Sequence, residues 1–141
     1  MRMLMTTLFM ILFGAIVGCS SLRTPESEVP SVSGKWRIQQ TNAGGSEFTG
    51  TLTLEQHGSG FSGSVSWNHH GRSRIVNGTV SGEASKQQGS IVCFVIEYDG
   101  ELRGKYYATL NPTHKLLFDG TAIVIQGGSD TGIWNATLIE E

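Results

Sequence analysis

Apolar side chains recur at every second residue along most of the chain after residue 33, and the residues between them are mainly Thr, Ser, Arg, Lys, Asn and Glu. A period of two is that of a β-strand with one buried and one solvated face, so the pattern predicts antiparallel sheet and no amphipathic helix. The predicted buried positions are Trp36 and Ile38; Phe48, Gly50, Leu52 and Leu54; Phe61, Gly63, Val65 and Trp67; Val76, Gly78 and Val80; Val92, Phe94, Ile96 and Tyr98; Leu102, Gly104, Tyr106, Ala108 and Leu110; Phe118, Gly120, Ala122 and Val124; and Gly132, Trp134, Ala136 and Leu138.

A short phrase repeats within this pattern: a large apolar residue, one spacer, glycine, and then Ser or Thr. It reads FTGT, FSGS, VNGT and FDGT at residues 48–51, 61–64, 76–79 and 118–121, and more loosely LRGK at 102–105. The glycine always falls on the predicted buried face. Glycine inside a strand weakens the strand unless it marks a bend or a crowded position. We therefore interpret these glycines as the means by which a sheet curls on itself, since small residues alternating with large ones fit a narrow interior.

The turns between the predicted strands are short, as in GSG at 58–60, DGE at 99–101, NPTHK at 111–115 and GGSDT at 127–131. Short turns make consecutive strands pair as hairpins. About eight such strands is the number at which a closed barrel fills with side chains or holds one small ligand. The sequence thus predicts an all-β fold, a single small antiparallel up-and-down barrel over residues 34–141, with an open sheet or sandwich as the alternative.

The N-terminal 18 residues have the layout of a signal peptide, with one charge at Arg2 and an apolar run from Leu4 to Val17 that is too short to span a membrane as a helix. The tetrapeptide Ile16-Val17-Gly18-Cys19 resembles the lipobox of bacterial lipoproteins. That resemblance implies cleavage before Cys19, a diacylglyceryl group on its thiol and an acylated amino terminus. Because Ser20 rather than Asp follows, the resemblance also implies an outer-membrane lipoprotein of the cell envelope. A plain secretory signal is the alternative.

Residues 20–33, SSLRTPESEVPSVS, contain two of the three prolines and no apolar periodicity, so they are predicted to form a flexible linker. The predicted organisation is a removed signal peptide at 1–18, a lipidated Cys19 with its linker at 19–33, and a barrel domain at 34–141. The partner implied by this organisation is a membrane, reached through the N-terminal lipid.

The predicted first strand opens with Gly34-Lys35-Trp36, which is similar to the G-x-W of the calycins, the lipocalins and avidins. The resemblance implies a calycin-like meander barrel. It stops at architecture, because the last strand has no arginine for the first tryptophan, no C-terminal helix can fit, and the inward positions offer almost no polar groups for an avidin-like site. A second resemblance is to small periplasmic inhibitors of metalloproteases, some of them lipid-anchored, which typically carry a disulfide early in the barrel. Here Cys93 would be alone once Cys19 is lipidated, and we predict an inert packed thiol.

Charge and motifs argue against several functions. Without Arg2, nine basic residues face twelve acidic ones, a net charge of about −3, and no basic tract exists for nucleic acid. Hairpin connectivity places His69 and His70 at one end of the barrel and His57 and His114 at the other, so no metal site is predicted. No nucleophile or carboxylate pair has a catalytic context, and we predict neither a cofactor nor an enzyme.

Three functional hypotheses remain. The first is a non-catalytic binding or structural role in the cell envelope, exerted on an envelope protein through the barrel surface or its loops. The second is a carrier of a small apolar ligand inside the barrel, lined by Trp36, Trp67, Tyr106 and Trp134. The third is a barrel similar to the periplasmic protease inhibitors.

Overall fold

The computed structural model describes residues 29–69, 75–86 and 91–141. The predicted signal peptide, the lipobox with Cys19, the first part of the linker and His70 all lie outside these described residues. Within them, no helix is both long enough and apolar enough to cross a membrane.

Eight strands follow one another along the chain, and each pairs antiparallel with the next. The last strand pairs with the first, with Trp36 opposite Leu138 and Ile38 opposite Ala136, so that the sheet is closed. The prediction of an eight-stranded up-and-down barrel is confirmed. The strands are β1 (Gly34–Asn42), β2 (Glu47–His57), β3 (Gly60–His69), β4 (Ile75–Ser85), β5 (Ile91–Tyr98), β6 (Arg103–Leu110), β7 (Leu116–Gln126) and β8 (Thr131–Glu140), with one turn of 3₁₀ helix at Asp99–Glu101.

The predicted alternation places the core inside the barrel, where aromatic rings fill the middle. Phe94 stacks on Tyr106 with ring centroids 5.2 Å apart, and Trp134 meets the edge of Phe94 at 5.5 Å. Leu52, Val65 and other aliphatic side chains from every strand complete this core. Offset and edge contacts of this kind add to the free energy gained from burying the rings.

Two of the repeated glycines show why the phrase needs them. A methyl group added to Gly63 would run into the carbonyl oxygen of Thr53 on β2, and one added to Gly120 would run into that of Trp134 on β8. Backbone atoms of the neighbouring strand therefore occupy the space that any other side chain would need. This confirms that these glycines occupy crowded inward positions, as the interpretation of the repeated phrase requires.

The register of β7 departs from the predicted alternation. Pairing with β8 shifts between Leu117 and Gly120, and Asp119 has a left-handed φ of 51°. Such a bulge inserts a residue and reverses the face on which the preceding side chains lie. Leu117 is therefore completely buried while Phe118, predicted to be a core residue, is only partly buried.

The end of the barrel where the chain enters is closed by residues that precede β1. Val32 is completely buried, and its carbonyl oxygen accepts a hydrogen bond of 2.9 Å from the indole of Trp36. The side chain of Gln56 fixes the same segment, because its Oε1 accepts from the Val32 amide and its Nε2 donates to Pro30 O, both at 2.8 Å. The predicted boundary at residue 34 is thus too late, since residues 29–33 belong to the folded unit.

Cys93 lies on the outward face of β5 between Ile91 and Val95. It is nevertheless completely buried, and it is disulfide-bonded. The prediction of an inert free thiol is therefore wrong. The other cysteine of the chain, Cys19, lies outside the described residues. Ile91 and Val95 are half-buried, so this part of the outer wall is not an exposed apolar patch.

We predict that Gly63→Ala destabilises the barrel by about 1–3 kcal/mol, because the added methyl group overpacks the β2 backbone. The matched control is Gly44→Ala, since nothing lies within 4 Å of a methyl group at Gly44. The measurement is the free energy of unfolding from urea titration of both variants. Equal stability of the two variants would contradict the role assigned to Gly63.

Candidate functional site

The far end of the barrel, opposite the end closed by Val32, is hollow. It holds a cavity of about 210 Å³ that opens to solvent, and we call it the far-end cup. It lies where the strands approach the 43–46, 99–102 and 127–130 connections. The residues that line the cup are Gln40, Asn42, Phe48, Trp67, Val76, Tyr98, Leu102, Tyr106 and Val124.

The wall of the cup is apolar and comes from neighbouring strands in register. Trp67 on β3 pairs with Val76 on β4, and the edge of the Phe48 ring meets Trp67 with centroids 6.2 Å apart. Val124 on β7 and Leu102 before β6 complete the opposite side. Most of the surface that a ligand would meet here is therefore hydrocarbon and aromatic ring, the usual lining of a small-molecule pocket.

The floor of the cup is polar. The Trp67 indole donates a 2.8 Å hydrogen bond to the Tyr98 hydroxyl, which lies 3.2 Å from the hydroxyl of Tyr106. Gln40 hydrogen-bonds Tyr106 as well, and its Nε2 donates to Asn42 Oδ1 at 2.7 Å. The chain of bonds therefore runs from the floor towards the rim.

At the rim this chain ends on a carboxylate. Asn42 Nδ2 donates to Asp130 Oδ2 at 2.9 Å, and Asp130 Oδ1 accepts from the Thr131 amide at 2.8 Å. The contact ties the end of β1 to the β7–β8 connection. It fixes the Asn42 amide, which in turn orients Gln40 below it.

Burial raises the pKa of the Tyr98 hydroxyl above its ordinary value of 10.0. Burial also raises the pKa of Tyr106, with a further contribution from charge repulsion by Tyr98. Both hydroxyls are neutral at physiological pH. Since desolvation penalises the charged form, the floor of the cup is a place where negative charge is disfavoured.

One atom of the polar floor has no partner among the described residues. Oε1 of Gln40 is buried and accepts no hydrogen bond from any of them. An unsatisfied buried acceptor costs about 1–3 kcal/mol.

The four sequence-predicted lining residues separate into two pairs. Trp67 and Tyr106 line the cup. Trp36 is completely buried beside Val32 at the closed end, and Trp134 is buried with its indole donating to Thr121 O at 3.0 Å. The latter two are core residues with partners of their own.

Sequence reasoning missed the polar half of the site. Gln40 and Asn42 continue the inward alternation of Trp36 and Ile38, and that extension was the available signal. The alternation predicts Tyr98 inside the barrel but does not assign it to a site. The expectation that the inward positions offer almost no polar groups is wrong at this end of the barrel.

The other candidate sites, a metal site and the ion pairs, have less structural support than the cup. Among residues 29–69, 75–86 and 91–141, no three His, Cys, Asp or Glu side chains are grouped to hold a metal ion. His57 lies 3.4 Å from Glu55 and Arg103 lies 3.5 Å from Glu97, and all four side chains are largely exposed. Exposed ion pairs of this kind contribute little to stability.

A wider groove lies on the outer wall across β6, β7, β8 and the end of β1, with a volume of about 610 Å³. Tyr107, Ile123 and Ile133 lie along it, and their exposed fractions are 38%, 48% and 68%. We call it the outer groove. It is an apolar surface that faces solvent.

The raised tyrosine pKa values predict a loss of stability at alkaline pH. The tyrosines of the unfolded chain ionise near pH 10, whereas Tyr98 and Tyr106 in the folded chain resist ionisation. Their contribution to the free energy of unfolding is therefore fully present below about pH 10 and is lost as the pH rises above it. The measurement is urea denaturation at about pH 8 and about pH 11. Replacing both tyrosines by Phe should reduce this fall, whereas Tyr107→Phe on the outer wall should retain it. An equal fall in all three proteins would contradict the assignment.

The comparisons with known proteins give the fold alone. No family model and no curated protein matches the chain. The similar solved structures include EF1p2_mFAP2b bound to DFHBI (TM-score 0.65, 11% identity, 77% of this chain and 94% of that one), a de novo designed fluorescence-activating β-barrel (0.59, 12%, 76% and 93%), and a redesigned β-barrel, mFAP0, bound to DFHBI (0.57, 11%, 75% and 97%). The chain is therefore similar in fold to small β-barrels over about three quarters of its length.

Proposed function

We propose that this protein binds a small, predominantly apolar molecule in the far-end cup. The observation that carries the proposal is an open cavity with aromatic walls and a polar floor in a barrel whose remainder is filled. Convergence of a few polar groups in an apolar concavity is the usual mark of a binding site. Of the hypotheses drawn from the sequence, the ligand carrier is the one that this geometry favours.

The volume limits the ligand. The cup measures about 210 Å³, below the roughly 300–1,000 Å³ of sites for drug-sized molecules. An apolar cavity of about 150 Å³ is enough for benzene. The ligand is accordingly a molecule of about one ring, or the ring-sized end of a longer molecule that protrudes past Asp130.

The similar barrels support this role. EF1p2_mFAP2b and mFAP0 are both bound to DFHBI, and the de novo designed barrel is fluorescence-activating. The likeness to this chain is one of fold at 11–12% identity. It supports ligand binding by a barrel of this size and says nothing of the ligand's identity.

We propose a binding role and not catalysis. The titratable groups that line the cup are Tyr98 and Tyr106. General acids and bases work best with a pKa near the operating pH. Burial moves the pKa of both hydroxyls away from it. This argument supports a non-enzymatic carrier or sensor.

Binding of an envelope protein through the outer groove is the second candidate function. The exposed apolar side chains of Ile123 and Ile133 favour it, because large apolar residues grouped on a surface often mark interaction sites. Besides the barrel itself, the disulfide of Cys93 is the described feature that the protease-inhibitor alternative shares.

We also propose that Cys19 is lipidated and holds the protein at the cell envelope, by an outer-membrane anchor. The support is the sequence Ile16-Val17-Gly18-Cys19 behind an apolar run. Several acyl chains would anchor the protein stably. Because a thioether sulfur cannot also form a disulfide, a lipidated Cys19 could not be the partner of Cys93 in its disulfide.

The anchor is tested by expressing Cys19→Ala in a Gram-negative host. The variant should move from the membrane fraction to the soluble fraction or stay unprocessed. A mass spectrum of the Cys93 peptide, without reduction, would report the state of that sulfur in the same samples. Unchanged membrane association of the variant would overturn the lipid anchor.

Ligand binding is tested by native mass spectrometry of the protein purified gently from its own host. We expect a mass excess that is lost on denaturation. Val76→Trp, which fills the cup, should abolish the excess, while Ile75→Trp on the neighbouring outward position should retain it, since Ile75 is 69% exposed. A bare mass for the wild-type protein, or an excess that Val76→Trp retains, would contradict binding in the cup.

A further inference from the structure

Building on the proposed ligand binding, we propose that the buried end of the ligand is an uncharged hydrogen-bond acceptor, such as a carbonyl oxygen, received by the tyrosine hydroxyls at the floor of the far-end cup.

The inference rests on the number of hydroxyl hydrogens at the floor of the cup compared with the number of acceptors available to them. The Tyr98 oxygen already accepts the Trp67 N–H. Tyr98 and Tyr106 have two hydroxyl hydrogens between them, and the 3.2 Å bond that joins them uses one. The amide of Gln40 donates to Tyr106 through Nε2, because Gln40 Oε1 has no hydrogen-bond partner among the described residues. One hydroxyl hydrogen is therefore left without an acceptor among the described residues.

A ligand that fills the cup must meet that hydrogen. Water satisfies a hydroxyl in an open cavity, and a ligand that displaces the water has to supply an equivalent acceptor or leave the hydroxyl unpartnered. The unpaired acceptor of this region, Gln40 Oε1, has no accessible surface from which a ligand could be reached. The groups that face the cup from its floor are thus donors, and the matching ligand group is an acceptor.

The acceptor is uncharged because the described residues that line the cup offer no counter-charge. They include no Lys, Arg or His, and the carboxylate of Asp130 lies one hydrogen bond beyond Asn42. Burial raises the pKa of Tyr98 and of Tyr106, which means that the same surroundings disfavour an anion. A cation is disfavoured in turn by the donors that face it from the floor.

Four probes with equal numbers of non-hydrogen atoms test the inference on the full chain: acetophenone, cumene, benzoate and protonated 1-phenylethylamine. They share a phenyl ring and differ in the group that would reach the floor. We expect calorimetric titration to give acetophenone an affinity roughly three- to tenfold above that of cumene, the gain of about one net hydrogen bond. Benzoate and 1-phenylethylammonium should bind more weakly than either, since a buried unpaired charge is penalised.

Two further measurements test whether the carbonyl group of acetophenone is hydrogen-bonded and whether acetophenone binds in the cup. The carbonyl stretching frequency of bound acetophenone should fall relative to its value in an alkane, as it does on hydrogen bonding. Val76→Trp should abolish acetophenone binding and Ile75→Trp should retain it. The infrared measurement on the wild-type protein is independent of how well the Val76→Trp variant folds.

The outcomes separate this inference from the proposed function. Equal affinity for acetophenone and cumene, or tighter binding of either charged probe, would overturn the inference and leave binding in the cup standing. An unshifted carbonyl frequency would also overturn it. Absence of binding by all four probes at millimolar concentration would overturn the proposed function itself.

Discussion

The pairing of β8 with β1 is the constraint on which the rest of the structure depends. It removes the two edges that an eight-stranded sheet would otherwise expose, and it fixes an interior that side chains nearly fill. Within that interior there is no room for a large residue at every inward position. Gly63 and Gly120 are the result, because the neighbouring backbone already occupies the place of a side chain.

Closure also makes the two ends of the barrel unequal. Val32 folds over one end and is held there by Trp36 and Gln56, so that the core continues to the mouth. At the other end the inward positions of β1 are Gln40 and Asn42, which bond to each other. The cup exists because no described residue covers this polar layer as Val32 covers the opposite one.

The same polar layer links stability to binding. Tyr98 and Tyr106 gain hydrogen bonds by facing each other, while the buried oxygen of Gln40 has no partner in the described part of the chain. A fully apolar end would pack better, but it would have no hydrogen-bonding groups to orient a ligand. The layer gives up some stability in return for hydrogen-bond donors held on the rigid wall of a closed sheet, which is the arrangement that positions a ligand well.

The architecture could be predicted from the sequence because strand periodicity and barrel closure constrain the residue type at most positions of the chain. Alternation, short turns and inward glycines predicted the barrel, its strand number and which loops share an end. The bulge at Asp119 could not be predicted from the sequence, since a single residue with φ of 51° does not change the alternation of apolar residues. Because of this bulge, Leu117 and not Phe118 is the buried core residue.

The residues at the ends of the barrel escaped sequence reasoning for another reason. The predicted linker wrongly includes Val32, because burial there comes from Gln56, which is distant along the chain. The sequence could not distinguish the cup residues Trp67 and Tyr106 from the core residues Trp36 and Trp134. All four side chains point into the barrel, and the two pairs differ only in their position along the barrel axis.

The most direct test of the account is methyl NMR of the full chain with Val and Ile methyl groups labelled, titrated with acetophenone. We expect shifts and intermolecular contacts at Val76 and Val124, whose side chains line the far-end cup. Ile123 and Ile133 in the outer groove should not respond. A response confined to those two isoleucines would place binding on the outer wall, and silence at Val76 and Val124 would contradict the central claim that the hollow end of this barrel is a binding site.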